Sequence, residues 1–360
     1  MVNALKIQLS AYFTNFSRNI MIYRSKAPLR IGLAGGGTDV SPYCDLYGGA
    51  ILNATISLYA YATIEPLEEQ KIIIEAVDRG AQVSYEKMDS LPIDGTLDLA
   101  AGAYNYVVAR YGPVPSGFKL STIVDAPPGS GLGSSSTLMV AIIGVFAEWL
   151  NLPLGEYDIA QMAYDVERVE LAMAGGKQDQ YAATFGGINF MEFFNDNKVI
   201  VNPLRIKQEY LYELENNLLL YFTATSRLSS TIIAAQSQNV KDNNQQSIDA
   251  MHHLKEQSVM MKEALLKGNI HDVGGILDYG FRFKKQMAKG ISNDSIDEIY
   301  DAALKAGATG GKISGAGGGG FMMFYCPANT RYEVKKALAA FGGNFSPYQF
   351  TERGLVTWSI

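Results

Sequence analysis

The chain has 360 residues, of which 48% are hydrophobic and 18% are charged, and its formal net charge is −6. This length and apolar content predict one large or two medium-sized domains with hydrophobic cores. The acidic balance excludes a broad basic surface, so we expect neither a nucleic acid nor a membrane as partner. Cys44 and Cys326 are too few for a disulfide framework, which indicates a reducing compartment and predicts a cytoplasmic protein.

Residues 1–20 lack an apolar segment and a cleavage site typical of a signal peptide, so we expect none. Met21 directly precedes the first well-patterned strand. We treat 1–20 as an N-terminal extension, and the sequence leaves open whether it is native or reflects an upstream start.

The first part of the chain alternates strands with helices. Hydrophobic periodicity and glycine or proline breaks locate these elements. The predicted elements are strands over 22–34 and 50–66, a hairpin of 71–77 with 82–87, a helix over 97–111, a strand over 118–124 and a buried helix over 137–150.

A glycine- and serine-rich stretch, 127–136, joins the strand 118–124 to the helix that follows it. Its glycines permit a tight turn close to a ligand, and its serines suit a helix N-cap. The N-terminus of a helix attracts anions through its free N–H groups and its dipole. The stretch contains no lysine or arginine and does not match a Walker A loop. It predicts either a phosphate-binding loop or an ordinary strand-to-helix turn.

The second part of the chain is richer in helices, and its pattern loosens over 195–205, where we place the domain boundary. A cluster of Gln and Asn over 236–246 indicates a solvated helix face. The predicted elements are an amphipathic helix over 155–173, a loop over 177–180 with a helical turn to 184, strands over 188–194, 218–223 and 321–326, helices over 269–289, 294–306 and 329–340, and closing strands within 348–360.

Glycine is concentrated in three separated loops, at 35–37, 129–133 and 310–320. Such loops let the backbone approach a ligand, although each one alone could be a tight turn between packed strands. Their clustering predicts that distant segments share one binding site. Strands and helices in this order favour two α+β domains.

Taken with Asp179, these loops resemble the motifs of the GHMP kinase superfamily, which includes galactokinase, homoserine kinase, mevalonate kinase and phosphomevalonate kinase. Residues 27–33 resemble the first motif, 127–136 the second and 312–320 the third. Gly-Gly-Gly-Thr-Asp at 35–39 and Gly-Gly-Lys-Gln-Asp-Gln-Tyr at 175–181 are similar to sugar 1-kinases. The D-glycero-D-manno-heptose 7-phosphate kinase group matches best, followed by fucokinase-type enzymes.

The resemblance implies a two-domain α+β GHMP kinase fold. Residues 21–203 would form an N-terminal ATP-binding domain like domain 2 of ribosomal protein S5. Residues 204–360 would form a C-terminal ferredoxin-like domain with closing strands. ATP and the sugar would meet at the junction of the two domains.

The resemblance also implies catalytic roles. Asp179, expected in a loop just after a helix, would accept the proton of the anomeric hydroxyl; without the resemblance, it would be read as a solvated carboxylate. Arg30 would keep Asp179 ionised and polarise the attacking oxygen or the γ-phosphate. Ser135 and Glu167 would hold Mg²⁺, with Glu170 as the competing carboxylate.

The implied binding residues fall into two groups. The triphosphate of ATP would lie against Pro128, Gly129, Gly131, Leu132, Gly133, Ser134, Ser135 and Ser136. The sugar would contact Gly36, Gly37, Thr38, Asp39, Gly315, Gly317 and Gly318. Lys177 and Arg227 are the candidate cations for a phosphate on the sugar. The galactokinase motif reads Gly-Glu-His-Thr-Asp where this chain has Gly-Gly-Gly-Thr-Asp. The two missing side chains would leave more room in the sugar pocket, which argues against galactose as the substrate.

The leading hypothesis is an ATP-dependent kinase that converts D-glycero-D-manno-heptose 7-phosphate to the 1,7-bisphosphate. A fucokinase-type or other hexose 1-kinase is the alternative of the same class. A non-catalytic sugar and ATP sensor would lack some of Asp179, Arg30, Ser135 and Glu167, all of which are present. A kinase for mevalonate or homoserine fits the sugar-type motifs less well. The sequence leaves the oligomeric state open, with a homodimer as one option.

Overall fold

The structure is a computed structural model that describes residues 21–225 and 229–360. The strands in these ranges are β1 (Tyr23–Ala34), β2 (Gly49–Leu67), β3 (Lys71–Ala76), β4 (Ala81–Glu86), β5 (Gly117–Val124), β6 (Ile188–Phe193), β7 (Val199–Pro203), β8 (Leu218–Phe222), β9 (Gly310–Ile313), β10 (Phe321–Tyr325), β11 (Asn344–Phe345) and β12 (Val356–Ser359). The α-helices are α1 (Tyr43–Tyr47), α2 (Asp98–Tyr111), α3 (Ser134–Leu150), α4 (Glu156–Tyr164), α5 (Gln178–Phe185), α6 (Gln208–Asn217), α7 (Ser229–Lys241), α8 (Gln245–Lys267), α9 (Val273–Met287), α10 (Asp294–Lys305) and α11 (Thr330–Leu338).

The larger sheet has eight strands, and its main path runs β12-β1-β2-β5-β3-β4. The long strand β2 pairs with different strands along its length: residues 49–54 pair with β6, and residues 60–67 pair with β5. The hairpin of β3 and β4 forms as predicted. Only the pairing of β3 with β5 is parallel among the described strands.

Helix α3 is the central element of the core on one face of this sheet. It is apolar on nearly every side, as expected for a helix surrounded by protein. Its residues Val140, Ile143 and Phe146 are buried against α2 and the sheet. The start of α3 is therefore held rigidly at the edge of the core, where the glycine- and serine-rich loop enters it.

The smaller sheet has four antiparallel strands in the order β11-β8-β10-β9, with helices α7 to α11 packed around it. Alternate side chains of β8 and β10, such as Leu220 and Met323, share a core with Leu29 and Leu52 of the larger sheet. The two-domain α+β architecture is thus confirmed, and the two halves bury apolar surface against each other. In the described part of the chain, no helix has the length and apolarity needed to cross a membrane.

Three predicted segments differ from the structure. The helix expected over 155–173 is α4 followed by a π-helical turn, Asp165–Glu170, and a loop. The loosely patterned stretch 195–205 contains β7, an edge strand whose last residues are exposed. The Gln/Asn cluster covers the end of α7, a turn and the start of α8, and Gln236 is buried because its amide binds the backbone of Gly37.

The closing strand β12 joins the larger sheet, although 204–360 was predicted to form the C-terminal half. Its residues 356–359 pair antiparallel with 23–26 of β1. The reason is that β1 would otherwise expose an unpaired edge of the larger sheet. The proposed extension, 1–20, lies outside the described residues.

Candidate active site

The second glycine loop, 129–133, contacts both the third loop and β1, the strand that leads into the first loop. The backbone N–H of Arg30 on β1 donates to the Leu132 carbonyl at 3.1 Å, and the Ser314 hydroxyl donates to the Gly131 carbonyl at 2.9 Å. A Cβ on Gly131, whose φ is +77°, would lie 2.7 Å from the Ser314 carbonyl oxygen. Only glycine permits this approach. The predicted convergence of distant segments is confirmed, and they border a cavity of about 970 Å³.

Asp179 and Arg30 form an ion pair in the wall of this cavity. The Arg30 Nε and Nη2 atoms lie 2.7 and 2.6 Å from Oδ1 of Asp179, and Nη1 donates to the Gly131 carbonyl at 2.7 Å. The sequence predicted that Asp179 lies in a loop, but the structure places it in the first turn of α5. The helix starts earlier than predicted because Asp39 accepts the backbone N–H of Gln178. The second carboxylate oxygen of Asp179, Oδ2, has no hydrogen-bond partner among the described residues.

The N-terminus of α3 forms the next part of the wall. Gly133 precedes the helix with φ of +76°, and no described side chain caps the helix start. Ser134, Ser135 and Ser136 line the cavity, together with Gly129, Gly131 and Gly133. The first N–H groups of a helix lack intrahelical acceptors and suit an anion. Of the other predicted residues here, Pro128 is exposed outside the lining, and the Leu132 side chain lies in the core.

Glu167 lies opposite this helix start on the π-helical turn. The Ser135 hydroxyl donates to Oε1 of Glu167 at 3.0 Å, and the Gln180 amide donates to Oε2 at 2.6 Å. Glu167 is 0% exposed yet borders the cavity. Glu170, the competing carboxylate, is exposed and does not line the cavity. The extra residue of a π turn changes which side chains face inward, and such turns are frequent at functional sites.

Asp39 is buried at the cavity wall and accepts a hydrogen bond from the Gln178 backbone at 3.0 Å. Burial raises the pKa of the Asp39 carboxyl, the bond from Gln178 opposes this shift, and the charge of Asp179 adds to it. Gly37 also lines the cavity, and its carbonyl accepts the Gln236 amide at 2.7 Å.

Several predicted sugar-contacting residues lie beside the cavity and do not line it. Thr38 is structural, because its hydroxyl donates to the Gly35 carbonyl and accepts from the Ala50 backbone. Gly318 donates its N–H to the Ile291 carbonyl at 2.9 Å, and Gly317 packs against the same residue. Gly36 is also absent from the lining. Gly315, by contrast, borders the cavity.

Of the two cations predicted for a sugar phosphate, the structure describes only Lys177, and it does not line the cavity. Lys177 is buried at the start of α5, outside the lining, with its ammonium 5.6 Å from the centroid of the Tyr164 ring. The sequence suggested an exposed loop position, but α5 begins directly after Lys177 and turns its side chain inward. Arg227 lies outside the described residues.

The cavity instead contains cations that the sequence reasoning missed. Arg168 donates to the Ser136 hydroxyl at 3.3 Å and approaches Oε1 of Glu167 to 3.8 Å. Lys284 of α9 also lines the cavity. Its spacing from Leu277 and Phe281 places it on the apolar face of the helix. A lysine on a buried face is a signal that could have identified it.

Comparisons with known proteins identify the family of the chain. The GHMP kinases N terminal domain matches residues 98–187, and the GHMP kinases C terminal domain matches residues 261–344. The chain is 47% identical to D-glycero-alpha-D-manno-heptose 7-phosphate kinase of Campylobacter jejuni, over 94% of this chain and 99% of that protein. It is 26% identical to the L-fucokinase/L-fucose-1-P guanylyltransferase of Bacteroides fragilis, over 82% of this chain but 34% of that protein.

Among solved structures, a D-glycero-D-manno-heptose 1-phosphate kinase from Bacteroides thetaiotaomicron is 46% identical and superposes with a TM-score of 0.80. The match covers 94% of this chain and 99% of that structure. The likeness therefore extends over both halves of the fold.

Proposed function

The chain belongs to the GHMP kinase family, and we propose that it transfers the γ-phosphoryl group of ATP to the anomeric hydroxyl of D-glycero-D-manno-heptose 7-phosphate. The product would be the 1,7-bisphosphate. The observation that carries this proposal is the placement of Asp179 and Arg30 in one cavity with the N-terminus of α3. Phosphoryl transfer depends mainly on positioning and charge neutralisation, and this arrangement supplies both.

Asp179 is the group that receives the acceptor's proton. Arg30 occupies Oδ1 with two contacts and so leaves Oδ2 for the sugar hydroxyl. As the hydroxyl oxygen bonds to the γ-phosphorus, the bond between that phosphorus and the leaving oxygen of ADP breaks. The hydroxyl proton passes to Asp179. The guanidinium fixes the direction of the carboxylate and keeps it ionised before the transfer.

The triphosphate is held by backbone and not by a loop lysine. The N–H groups at the start of α3 and the hydroxyls of Ser134 to Ser136 face the cavity, where they can bind phosphate oxygens. Arg168 adds a positive charge beside Ser136. The helix N-terminus therefore replaces the lysine of a Walker A loop.

Ser135 and Glu167 fit a magnesium ion. Their oxygens lie 3.0 Å apart, and both are hard donors of the kind that Mg²⁺ prefers. The described residues contain no group of three or more His, Cys, Asp or Glu that could hold a metal, so phosphate oxygens and water would complete the coordination. When bound, the ion neutralises charge on the phosphates.

A phosphorylated heptose is the proposed acceptor because the heptose kinases to which the chain is nearly half identical are both named for one. Their names differ in the carbon that already carries phosphate, position 7 in one and position 1 in the other. We assign transfer to the anomeric position, with Asp39 and Gly37 binding sugar hydroxyls. Dependence on ATP and two unpaired, buried cysteines support a cytoplasmic location.

A comparison of acceptors tests the proposal. We would measure kcat/KM at saturating ATP for heptose 7-phosphate, heptose 1-phosphate, unphosphorylated heptose, L-fucose and mevalonate. Heptose 7-phosphate should be the preferred acceptor. A preference for L-fucose would favour the fucokinase alternative, and ATP binding without turnover of any acceptor would favour a sensor.

A further inference from the structure

Two buried lysines converge on the first glycine loop from different elements. Lys284 lies on α9 and Lys312 on β9, and they are 4% and 3% exposed. A Cβ on Gly36 would lie 3.7 Å from the Nζ of Lys284 and 3.8 Å from the Nζ of Lys312. Both ammonium groups therefore approach the same point above Gly36, where Lys284 lines the cavity and Lys312 lies just outside its lining.

These two charges lack a carboxylate partner among residues 21–225 and 229–360. Lys284 donates to the Gly315 carbonyl at 2.5 Å, whereas the Lys312 ammonium has no hydrogen-bond acceptor in those ranges. Burial lowers the pKa of Lys284 to about 8, and burial together with the charges of Lys284 and Arg30 lowers the pKa of Lys312. Buried cations without an ion-pair partner are unfavourable, so a bound anion would relieve this cost.

We propose that Lys284 and Lys312 bind the phosphate group that the sugar carries before the reaction. This inference rests on the proposed function and adds the residues that select a phosphorylated acceptor. A phosphate dianion offers several acceptor oxygens, and lysine binds phosphate as a compact point charge with three donors. Two such groups aimed at one point match a single phosphate.

The position of the pair favours the sugar's phosphate over those of ATP. The helix start at α3, with Ser135 and Glu167, is the part of the cavity suited to the triphosphate. The lysines instead flank the loop that carries Asp39, whose charge acts on Lys284. A glutamate in place of Gly36, as in the galactokinase motif, would put a carboxylate between the two ammonium groups.

Three methionine variants test the subsite. Lys284→Met and Lys312→Met each remove one ammonium and keep most of the side-chain volume. Lys285→Met is the matched control, because Lys285 follows on the same helix but its ammonium lies 3.2 Å from Asp297, with the side chain 37% exposed. Thermal melts verify folding, and initial rates give KM and kcat for ATP, heptose 7-phosphate and unphosphorylated heptose.

Each buried-lysine variant should lower kcat/KM for heptose 7-phosphate by about a hundredfold, as expected for truncating one partner of a buried charge pair. In these variants, the rate with unphosphorylated heptose and the KM for ATP should change by no more than about twofold, the size of an ordinary surface effect. All rates of the Lys285→Met control should likewise stay within about twofold of wild type. The subsite proposal would be refuted if the buried-lysine variants lost equal kcat/KM with both sugars or showed a raised KM for ATP. Unchanged rates with heptose 7-phosphate would also refute it. The same phosphate-specific loss in Arg227→Ala, with none in the lysine variants, would also overturn it.

The wild-type protein provides two further outcomes. If it turns over no phosphorylated heptose at all, the proposed function fails, and with it the premise of the subsite. If a variant does not fold, a crystal structure of the wild-type protein with heptose 7-phosphate decides. We expect the phosphate within hydrogen-bond distance of both Nζ atoms, and a phosphate bound elsewhere would refute the assignment.

Discussion

At the residue scale, the proposed mechanism depends on the ion pair of Asp179 and Arg30. We predict that Asp179→Asn lowers kcat by about a hundredfold or more, because general-base assistance contributes that much. The Kd for ATP should change little, since Asp179 is held by Arg30 and not by the helix start of α3. Steady-state rates and ATP titration calorimetry measure the two quantities. Near-wild-type turnover in this variant would remove Asp179 from the mechanism.

Titration of Lys284 gives a second prediction at this scale. Its pKa is lowered to about 8 by burial and the charge of Arg30, while the charge of Asp39 opposes this shift. As the pH rises through about 8, Lys284 in the free enzyme loses its proton and its attraction for a phosphate dianion. The kcat/KM for heptose 7-phosphate should therefore fall between pH 7 and 9, because this ratio reports groups of the free enzyme.

The comparison for this pH profile is the Lys284→Met variant. Its kcat/KM should be low throughout and should lose the decline near pH 8. A wild-type profile that stays flat from pH 7 to 9, or a variant that keeps the same decline, would show that another group is responsible.

The residue patterns pointed to Asp179 and Arg30, which the structure brings into contact, but not to all the cations of the cavity. Asp179 and Arg30 lie in motifs with recognisable neighbours, so their roles could be predicted before their contact was known. Lys284 stands alone in a helix, and its importance depends on burial, which is a property of the packed molecule. Lys177 was chosen from its motif, but the start of α5 turns it away from the cavity.

At the element scale, the loop before α3 is shaped by glycine and by its contact with α5. Gly133 has φ of +76°, and a Cβ there would lie 3.1 Å from the Cγ of Asp179. We predict that Gly133→Ala loses about 1–2 kcal/mol of unfolding free energy through left-handed strain. It should also lower kcat at least about tenfold, since displacing a reacting group by an ångström can cost more than that.

Gly80→Ala is the matched control for this change. Gly80 has φ of +60°, and a Cβ there would have open space around it, in the hairpin of β3 and β4. Urea unfolding should show a similar loss of stability in both variants, while only Gly133→Ala loses activity. Equal kcat values for the two would mean that the loop does not position Asp179.

Element boundaries were less predictable than element types. Strands β1 to β6 and helices α2 and α3 agree with their apolar periodicity. The π-helical turn after α4 could not be predicted, because one inserted residue shifts the inward face without altering the composition. That turn places Glu167 and not Glu170 at the cavity, so the proposed metal ligand depends on a local backbone detail.

At the scale of the whole molecule, the site exists because the two halves share a core and a sheet edge. Side chains from both sheets are buried together, and β12 returns from the C-terminal half to pair with β1. Long-range pairing of this kind has no local sequence signal, so the partner of β12 could not be predicted from the sequence. The sequence motifs nevertheless predicted that segments about 280 residues apart meet, because three glycine loops in order are specific.

The central claim is that this cavity directs phosphoryl transfer to the anomeric position of a heptose that already carries phosphate. The most direct test is ³¹P NMR of the product formed from ATP and D-glycero-D-manno-heptose 7-phosphate. The account predicts a new phosphorus resonance coupled to the anomeric proton, together with the unchanged 7-phosphate resonance. Consumption of ATP without that resonance, or a new phosphate coupled to any other sugar proton, would contradict it.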